Sequence, residues 1–135
     1  MTHPAQRIRV AVWLTHSSVS CWSFSKANEE TLRQLCPSAD VTVCPTPQAF
    51  QDILRDAEIA MTWRFEQEWF HAAPGLRWIT TPAAGRDYFQ VVPPDQVQIT
   101  YGQFHGELMA ETVLGMILGQ CRGLFAAQRL QATDD

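Results

Sequence analysis

The residues best suited to chemistry lie in a run of small side chains, Ala83, Ala84 and Gly85, which Arg86 follows directly. Small side chains leave the backbone uncovered, so that its N–H groups can approach a small anion. Arg64 directly follows the apolar run 57–63. Arg64 and Arg86 are expected on neighbouring loops, and two arginines so placed are suited to holding a carboxylate. The same spacing is typical of a tight turn beside two solvated arginines, and both interpretations remain open.

Other patterns that carry catalysis or cofactor binding do not occur in the sequence. The four histidines lack metal spacing, the four cysteines form no C-x-x-C pair, and G-x-S-x-G is absent. G-x-G-x-x-G and G-x-x-x-x-G-K-[ST] are also absent, which argues against a nucleotide loop. The polar run 15–20 supplies hydroxyls without glycine, which is a weak pattern for a flavin phosphate.

Composition narrows the class of protein. A chain of 135 residues with 46% hydrophobic and 18% charged residues is long enough for one globular core. A net charge of −4 without a Lys/Arg cluster argues against nucleic acid and anionic membranes as partners. The apolar run 8–14 is too short for a signal peptide. Glu111 and Arg122 lie in the most apolar stretch, 108–127, which therefore predicts a buried helix and not a bilayer span. We expect a cytoplasmic protein with four reduced, mostly buried cysteines.

Strand and helix patterns alternate along the chain. Ser25 and Thr46 are predicted helix N-caps, Pro47 the first residue of the second helix, and Phe50, Ile53 and Leu54 its buried stripe. This alternation of strands and helices predicts an α/β, flavodoxin-like three-layer sandwich with a five-stranded parallel sheet of order 2-1-3-4-5. Ligands of such sheets bind at the carboxyl ends of the strands. The five predicted strands are 8–14, 39–44, 57–63, 76–81 and 97–100.

A long final helix is predicted from His105 to about Leu130, with Gly115, Gly119 and Gly123 recurring on one face. Each glycine costs up to about 1 kcal/mol relative to alanine, so we expect close approach of another element. Three candidates for that element remain open: this domain's own sheet, a second domain and another subunit. The predicted organisation is a domain over 1–104, the helix over 105–130 and a frayed tail over 131–135.

Two segments, 72–89 and 97–124, carry a family resemblance. Because of these two segments, the chain from 57 to 124 resembles the substrate-binding (catalytic) domain of the D-isomer-specific 2-hydroxyacid dehydrogenases. The resemblance implies that N–H groups of Ala84 and Gly85 bind the substrate carboxylate, that Trp63 and Arg64 face the substrate, and that the last helix is a hinge to a nucleotide-binding domain. The matching residues are Pro74, Leu76, Trp78, Ala84, Gly85, Asp87, Gly106, Met109, Ala110, Glu111 and Arg122.

The sequence departs from the family at two positions and in its extent. Thr100-Tyr101 replaces the family's Thr-Asn, and Arg86 replaces an aliphatic residue. The family's dinucleotide motif and catalytic Arg, Glu and His are not in these residues, and His105 does not correspond to the catalytic histidine. In the full-length family, NAD or NADP serves the reduction of 2-oxo acids and the oxidation of D-2-hydroxy acids. For this chain alone we expect no activity, no catalytic residue, no bound cofactor and no metal.

Two other functions remain open at this point. One is a stand-alone small-anion-binding or oligomerisation module, and the other is a flavodoxin-like binder of flavin or phosphate. The expected partners are a small 2-oxo or 2-hydroxy carboxylic acid and a second copy of the chain. We expect the homodimer to form through the helix of Gly115, Gly119 and Gly123, by exchange of that helix, because its apolar surface favours association.

Overall fold

Five parallel strands form the sheet in the computed structural model, which describes residues 7–133. Their order is β2-β1-β3-β4-β5, and each neighbouring pair is parallel. The predicted α/β class and strand order are confirmed. The carboxyl ends of the strands therefore lie along one edge of the sheet. The strands are β1 Ile8–Trp13, β2 Ala39–Val43, β3 Ile59–Thr62, β4 Trp78–Thr81 and β5 Gln98–Tyr101.

Helices connect the first four strands, whereas the segment between β4 and β5 contains only the short 3₁₀ turn Arg86–Tyr88. Another 3₁₀ turn, Ser20–Trp22, follows β1. The side chains of Ser25 and Thr46 accept hydrogen bonds from the N–H groups of Asn28 and Ala49, as their predicted capping roles require. The helices are α1 Lys26–Leu35, α2 Pro47–Leu54, α3 Trp69–Ala72, α4 His105–Cys121 and α5 Leu124–Gln131.

The core lies on both faces of the sheet, because alternate residues of β1 point in opposite directions. Ala11 belongs to the larger cluster, which contains Phe50 and Leu54 of α2. Val10 and Val12 belong to a second cluster, against which α1 packs. The sheet is thus the middle of three layers, and its inner strand β1 is buried from Val10 to Val12.

The buried stripe of α2 is narrower than predicted. Phe50 and Leu54 are fully buried, whereas Ile53 is 37% exposed. Residues four apart lie above one another on a helix, so Phe50 and Leu54 share the line that faces the sheet, while Ile53 lies at its margin.

The long final helix is confirmed over His105–Cys121, but its predicted continuation to Leu130 is wrong. Gly123 adopts a left-handed conformation with φ +69°, which ends α4 and begins α5. A Cβ on Gly119 would lie 3.0 Å from the Phe125 ring, so this glycine does permit a close approach. Gly115 has no such neighbour within 4 Å.

The chain divides into two compact units between Gly102 and Gln103, two residues before the predicted boundary. Gln131 of the expected tail belongs to α5, and residues 134–135 lie outside the described part. The expected burial of 108–127 is wrong, because the large apolar side chains of α4 are 52–63% exposed. None of the helices within residues 7–133 combines the length and the apolar composition that a membrane span requires.

The four cysteines are free thiols, but the expectation that most are buried is wrong. Cys21, Cys36 and Cys121 are exposed, and Cys44 is buried at the end of β2. Burial raises the pKa of the Cys44 thiol above its ordinary value of 9.0, which favours the neutral form.

Replacing Phe50 by alanine tests the α2 contact with the sheet. We expect Phe50→Ala to lower the free energy of unfolding by about 3–5 kcal/mol, because it empties a fully buried site. Ile53→Ala on the same helix is the matched control, and it should cost less than half as much. Urea denaturation followed by circular dichroism measures both, and equal losses would contradict this packing.

Cys44 should be the slowest of the four thiols to react with iodoacetamide at pH 8. Its raised pKa leaves less thiolate, and the thiolate is the nucleophile. Mass spectrometry of timed samples measures each cysteine separately. In 6 M guanidinium, which removes the burial, the four should react at similar rates. Labelling of folded Cys44 as fast as exposed Cys36 would refute the prediction.

Candidate functional site

The loop after β3 is fixed by the last residue of that strand. Thr62 is fully buried, and its hydroxyl donates a hydrogen bond to the Arg64 carbonyl at 2.8 Å. The Arg64 N–H donates back to the same hydroxyl oxygen at 3.4 Å. These bonds turn the backbone directly after the strand, and they set where the Arg64 side chain begins.

The loop after β4 has a similar anchor. The hydroxyl of buried Thr81 accepts a hydrogen bond from the Ala83 N–H at 3.3 Å. The Ala83 carbonyl accepts one from the Gly102 N–H at 3.0 Å, which ties the loop to the end of β5. Ala84 and Gly85 follow this fixed point and lead into the 3₁₀ turn Arg86–Tyr88.

The backbone N–H groups of Ala84 and Gly85 are among the unoccupied donors of this loop. In the range 7–133, neither group donates a hydrogen bond to another protein atom. Ala84 is exposed and Gly85 is half-buried. A ligand oxygen can therefore accept from both without displacing an internal bond, as an anion-binding loop requires.

The carboxylate of Asp87 lies directly over Gly85. A Cβ built on Gly85 would collide with Oδ1 of Asp87, so glycine is what allows this side chain to fold back. Asp87 thereby places a negative charge beside Gly85. Any anion bound there meets repulsion from Asp87 as well as attraction from the amides.

A cleft of about 470 Å³ lies between the segments that follow β3 and β4. Its two walls are joined by the side-chain amide of Gln67, which donates to the Val92 carbonyl at 3.1 Å and accepts from the Val92 N–H at 2.9 Å. The cleft is at the carboxyl edge of the sheet, where this fold class binds ligands. The lining residues are Arg64, Phe65, Glu66, Gln67, Glu68, Asp87, Gln90 and Val91.

Both predicted arginines lie over aromatic rings. The guanidinium carbon of Arg64 is 5.4 Å from the centre of the Trp13 ring, and that of Arg86 is 5.7 Å from the centre of the Tyr101 ring. Such contacts restrain a guanidinium while leaving its N–H groups free to bind oxygen. Across the described range, neither arginine takes part in an ion pair.

The charges around the cleft are of both signs. Arg64 supplies a positive charge, and Glu66, Glu68 and Asp87 supply three negative ones. Positive potential is therefore confined to Arg64 and to the open amides of the neighbouring loop, within a surrounding field that is acidic. Binding of a small anion to this chain alone should be weak and sensitive to salt.

Trp63 is turned away from the cleft that Arg64 lines. Its indole N–H donates to the Trp22 carbonyl at 2.9 Å, and the two rings are 5.9 Å apart. The His16 ring meets the edge of Trp22 at 4.9 Å. Trp63 thus belongs to an aromatic cluster with the loop after β1, whereas Arg64 lies with Asp87.

The loop after β1 engages several of its backbone N–H groups in hydrogen bonds to its own side chains. Nδ1 of His16 accepts hydrogen bonds from the N–H groups of Ser18 at 3.2 Å and Val19 at 3.0 Å, which places the imidazole proton on Nε2. The His16 N–H donates to the Ser23 hydroxyl at 3.0 Å. Three donors that a bound phosphate would need are therefore already engaged.

The structure divides the predicted site residues between neighbouring places. Ala84, Gly85 and Arg86 share the loop after β4, and Arg64 lines the adjacent cleft with Asp87. The sequence did not reveal Gln67 as the residue that joins the cleft walls, because its partner lies 25 residues away. In the described part of the chain, no three His, Cys, Asp or Glu side chains are placed to hold a metal.

No known family model matches the sequence, and no curated protein matches it either.

Thr62→Val tests whether the threonine hydroxyl fixes the β3 loop. The change keeps the volume and removes both bonds to Arg64, so we expect a loss of about 1–3 kcal/mol in unfolding free energy. Thr100→Val is the control, because that hydroxyl makes an exposed hydrogen bond with Trp78 and should cost less than about 0.5 kcal/mol. Guanidinium denaturation compares them. Similar costs would contradict the special role of Thr62.

Proposed function

We propose that this chain is the substrate-binding domain of a D-2-hydroxyacid dehydrogenase-like oxidoreductase. In this proposal it binds the carboxylate of a small 2-oxo or 2-hydroxy acid at the loop after β4. The observation that carries the proposal is the pair of open N–H groups at Ala84 and Gly85, on a loop fixed from both sides at Ala83. Ala84, Gly85 and Asp87 in this loop are among the residues on which the family resemblance rests.

Arg64 is the side chain best placed to assist the amides. It lines the neighbouring cleft, it is restrained over Trp13, and its charge is opposite to that of the ligand. A guanidinium suits a carboxylate because its N–H groups can bind both oxygens. Asp87 opposes binding by its charge, so the two residues should change affinity in opposite directions when neutralised.

A nicotinamide cofactor does not fit the residues described here. The sequence has no G-x-G-x-x-G loop, and the N–H groups after β1 are engaged by His16 and Ser23. We therefore assign binding and orientation of the acid to this chain, and no hydride or proton step to its residues.

The engaged loop after β1 also bears on the flavin or phosphate alternative. A phosphate bound there would have to displace the His16 ring from the N–H groups of Ser18 and Val19. The open amides at Ala84 and Gly85 offer an anion a place with no such cost. We therefore favour a carboxylate at the β4 loop over a phosphate at the β1 loop.

Titration of the ¹⁵N-labelled chain with pyruvate and D-lactate tests the proposal by NMR. We expect saturable chemical-shift changes at the Ala84 and Gly85 amides. The dissociation constants should be on the order of 1 mM or weaker, because charges of both signs surround the site. Pyruvamide is the matched ligand control, since it has the same shape without the charge. It should shift these amides little, and NADH should not shift the β1 loop.

Two substitutions should move the affinity for pyruvate in opposite directions. Arg64→Gln should weaken binding about three- to ten-fold, and Asp87→Asn should strengthen it by a smaller factor. Arg55→Gln and Asp95→Asn make the same charge changes elsewhere and should leave affinity within about two-fold. Absence of saturable shifts at Ala84 and Gly85, or equal shifts with pyruvamide, would overturn the proposal.

A further inference from the structure

The cleft between the segments after β3 and β4 carries more negative than positive charge. Among its described lining residues Arg64 is the only cation, whereas Glu66, Glu68 and Asp87 are anions. Within residues 7–133, none of these three carboxylates takes part in an ion pair. Their charges therefore act on any ligand group that enters the cleft.

The positive charge of the cleft is already matched by the first carboxylate of a ligand. In the proposed function, that carboxylate binds at the open N–H groups of Ala84 and Gly85 with help from Arg64. No further cation lines the described cleft. The rest of the ligand then meets three negative charges without a compensating positive one.

The negative region begins directly beside the open amides. The carboxylate of Asp87 lies over Gly85, the second of the two N–H donors. The same side chain lines the cleft together with Glu66 and Glu68. The field therefore becomes unfavourable to anions immediately beyond the place where the first carboxylate binds.

The cleft walls hold this arrangement in place and leave room for a substituent. Gln67, which lies between Glu66 and Glu68 in the chain, is tied by its side-chain amide to both backbone groups of Val92. The cleft volume of about 470 Å³ lies within the range of small-molecule sites, roughly 300–1,000 Å³. An acid larger than pyruvate can thus extend into the cleft.

We propose that this site selects acids with a single negative charge. Its substrate class is a 2-oxo or 2-hydroxy monocarboxylic acid whose substituent is uncharged or positively charged. Glu66, Glu68 and Asp87 disfavour a second carboxylate or a phosphate by like-charge repulsion, which is specificity by exclusion. This inference rests on the proposed carboxylate site at Ala84 and Gly85.

Three acids with one carbon skeleton test the charge selectivity. D-Glycerate, 3-phospho-D-glycerate and D-isoserine carry a hydroxyl, a phosphate and an ammonium group on the same carbon. NMR titration of the ¹⁵N-labelled chain at low salt measures their dissociation constants. We expect 3-phospho-D-glycerate to bind at least about five-fold more weakly than D-glycerate, and D-isoserine to bind about two- to five-fold more tightly.

Neutralising the cleft should reduce this selectivity. In the double variant Glu66→Gln/Glu68→Gln, the affinity ratio of D-glycerate to 3-phospho-D-glycerate should fall about three-fold or more, because the phosphate loses the larger repulsion. Glu30→Gln/Asp40→Asn removes two exposed charges on α1 and β2 and is the matched control. It should leave the ratio within about 1.5-fold. Since all three cleft carboxylates are exposed, about 0.5 M salt should also reduce the ratio.

The outcomes separate this inference from the proposed function. Saturable shifts at Ala84 and Gly85 with D-glycerate, but equal or tighter binding of 3-phospho-D-glycerate, would refute the charge selectivity and leave the carboxylate site standing. An affinity ratio that the cleft variant and the control variant lower equally would also refute it. Absence of saturable shifts at these amides with pyruvate and with all three acids would refute both.

Discussion

Parallel pairing of β3 with β4 is the constraint on which the rest of the site depends. The register that sets Met61 beside Thr80 brings the two strands to an end at the same edge. The loops that follow must then run side by side. Thr62 and Thr81, the last residues of these strands, are both buried and both hydrogen-bonded to the loop that follows. The sheet thus fixes the starting points of Arg64 and Ala84.

These hydrogen bonds hold the β4 loop rigidly up to Ala83 and leave the N–H groups of Ala84 and Gly85 without partners. The backbone up to Ala83 is bonded on both sides, and the next two N–H groups are not. A rigid loop with free donors is preorganised for a ligand, because little conformational entropy remains to be lost on binding. The negative charges of Asp87 and of the acidic residues in the cleft reduce the affinity for an anion that this preorganisation adds. In the proposed function, the chain would therefore position an acid only weakly by itself.

Much of the fold could be predicted from local patterns. The strand alternation, the caps at Ser25 and Thr46 and the order of the sheet follow from periodicity and from the handedness of crossovers. The break at Gly123 was missed, because a glycine every fourth residue also fits a continuous helix. Only its positive φ distinguishes a helix end from a helix face.

The site was harder to predict than the fold. The small residues before Arg86 marked the open amides, since uncovered backbone is a local property. The placing of Arg64 over Trp13 and the bridge from Gln67 to Val92 join residues distant in sequence. Nothing in the spacing of a single sequence encodes such contacts. The same holds for Trp63, whose indole N–H bonds to Trp22 on another loop.

Amide hydrogen exchange at Ala84 and Gly85 is the most direct test of the central claim, that these donors are free in the chain and taken up by a carboxylate. The account predicts fast exchange at both amides without ligand, close to the rate of an unstructured peptide, and slower exchange in the presence of saturating pyruvate. Slow exchange without ligand would mean that the chain's own oxygens already hold these protons, and would contradict the account.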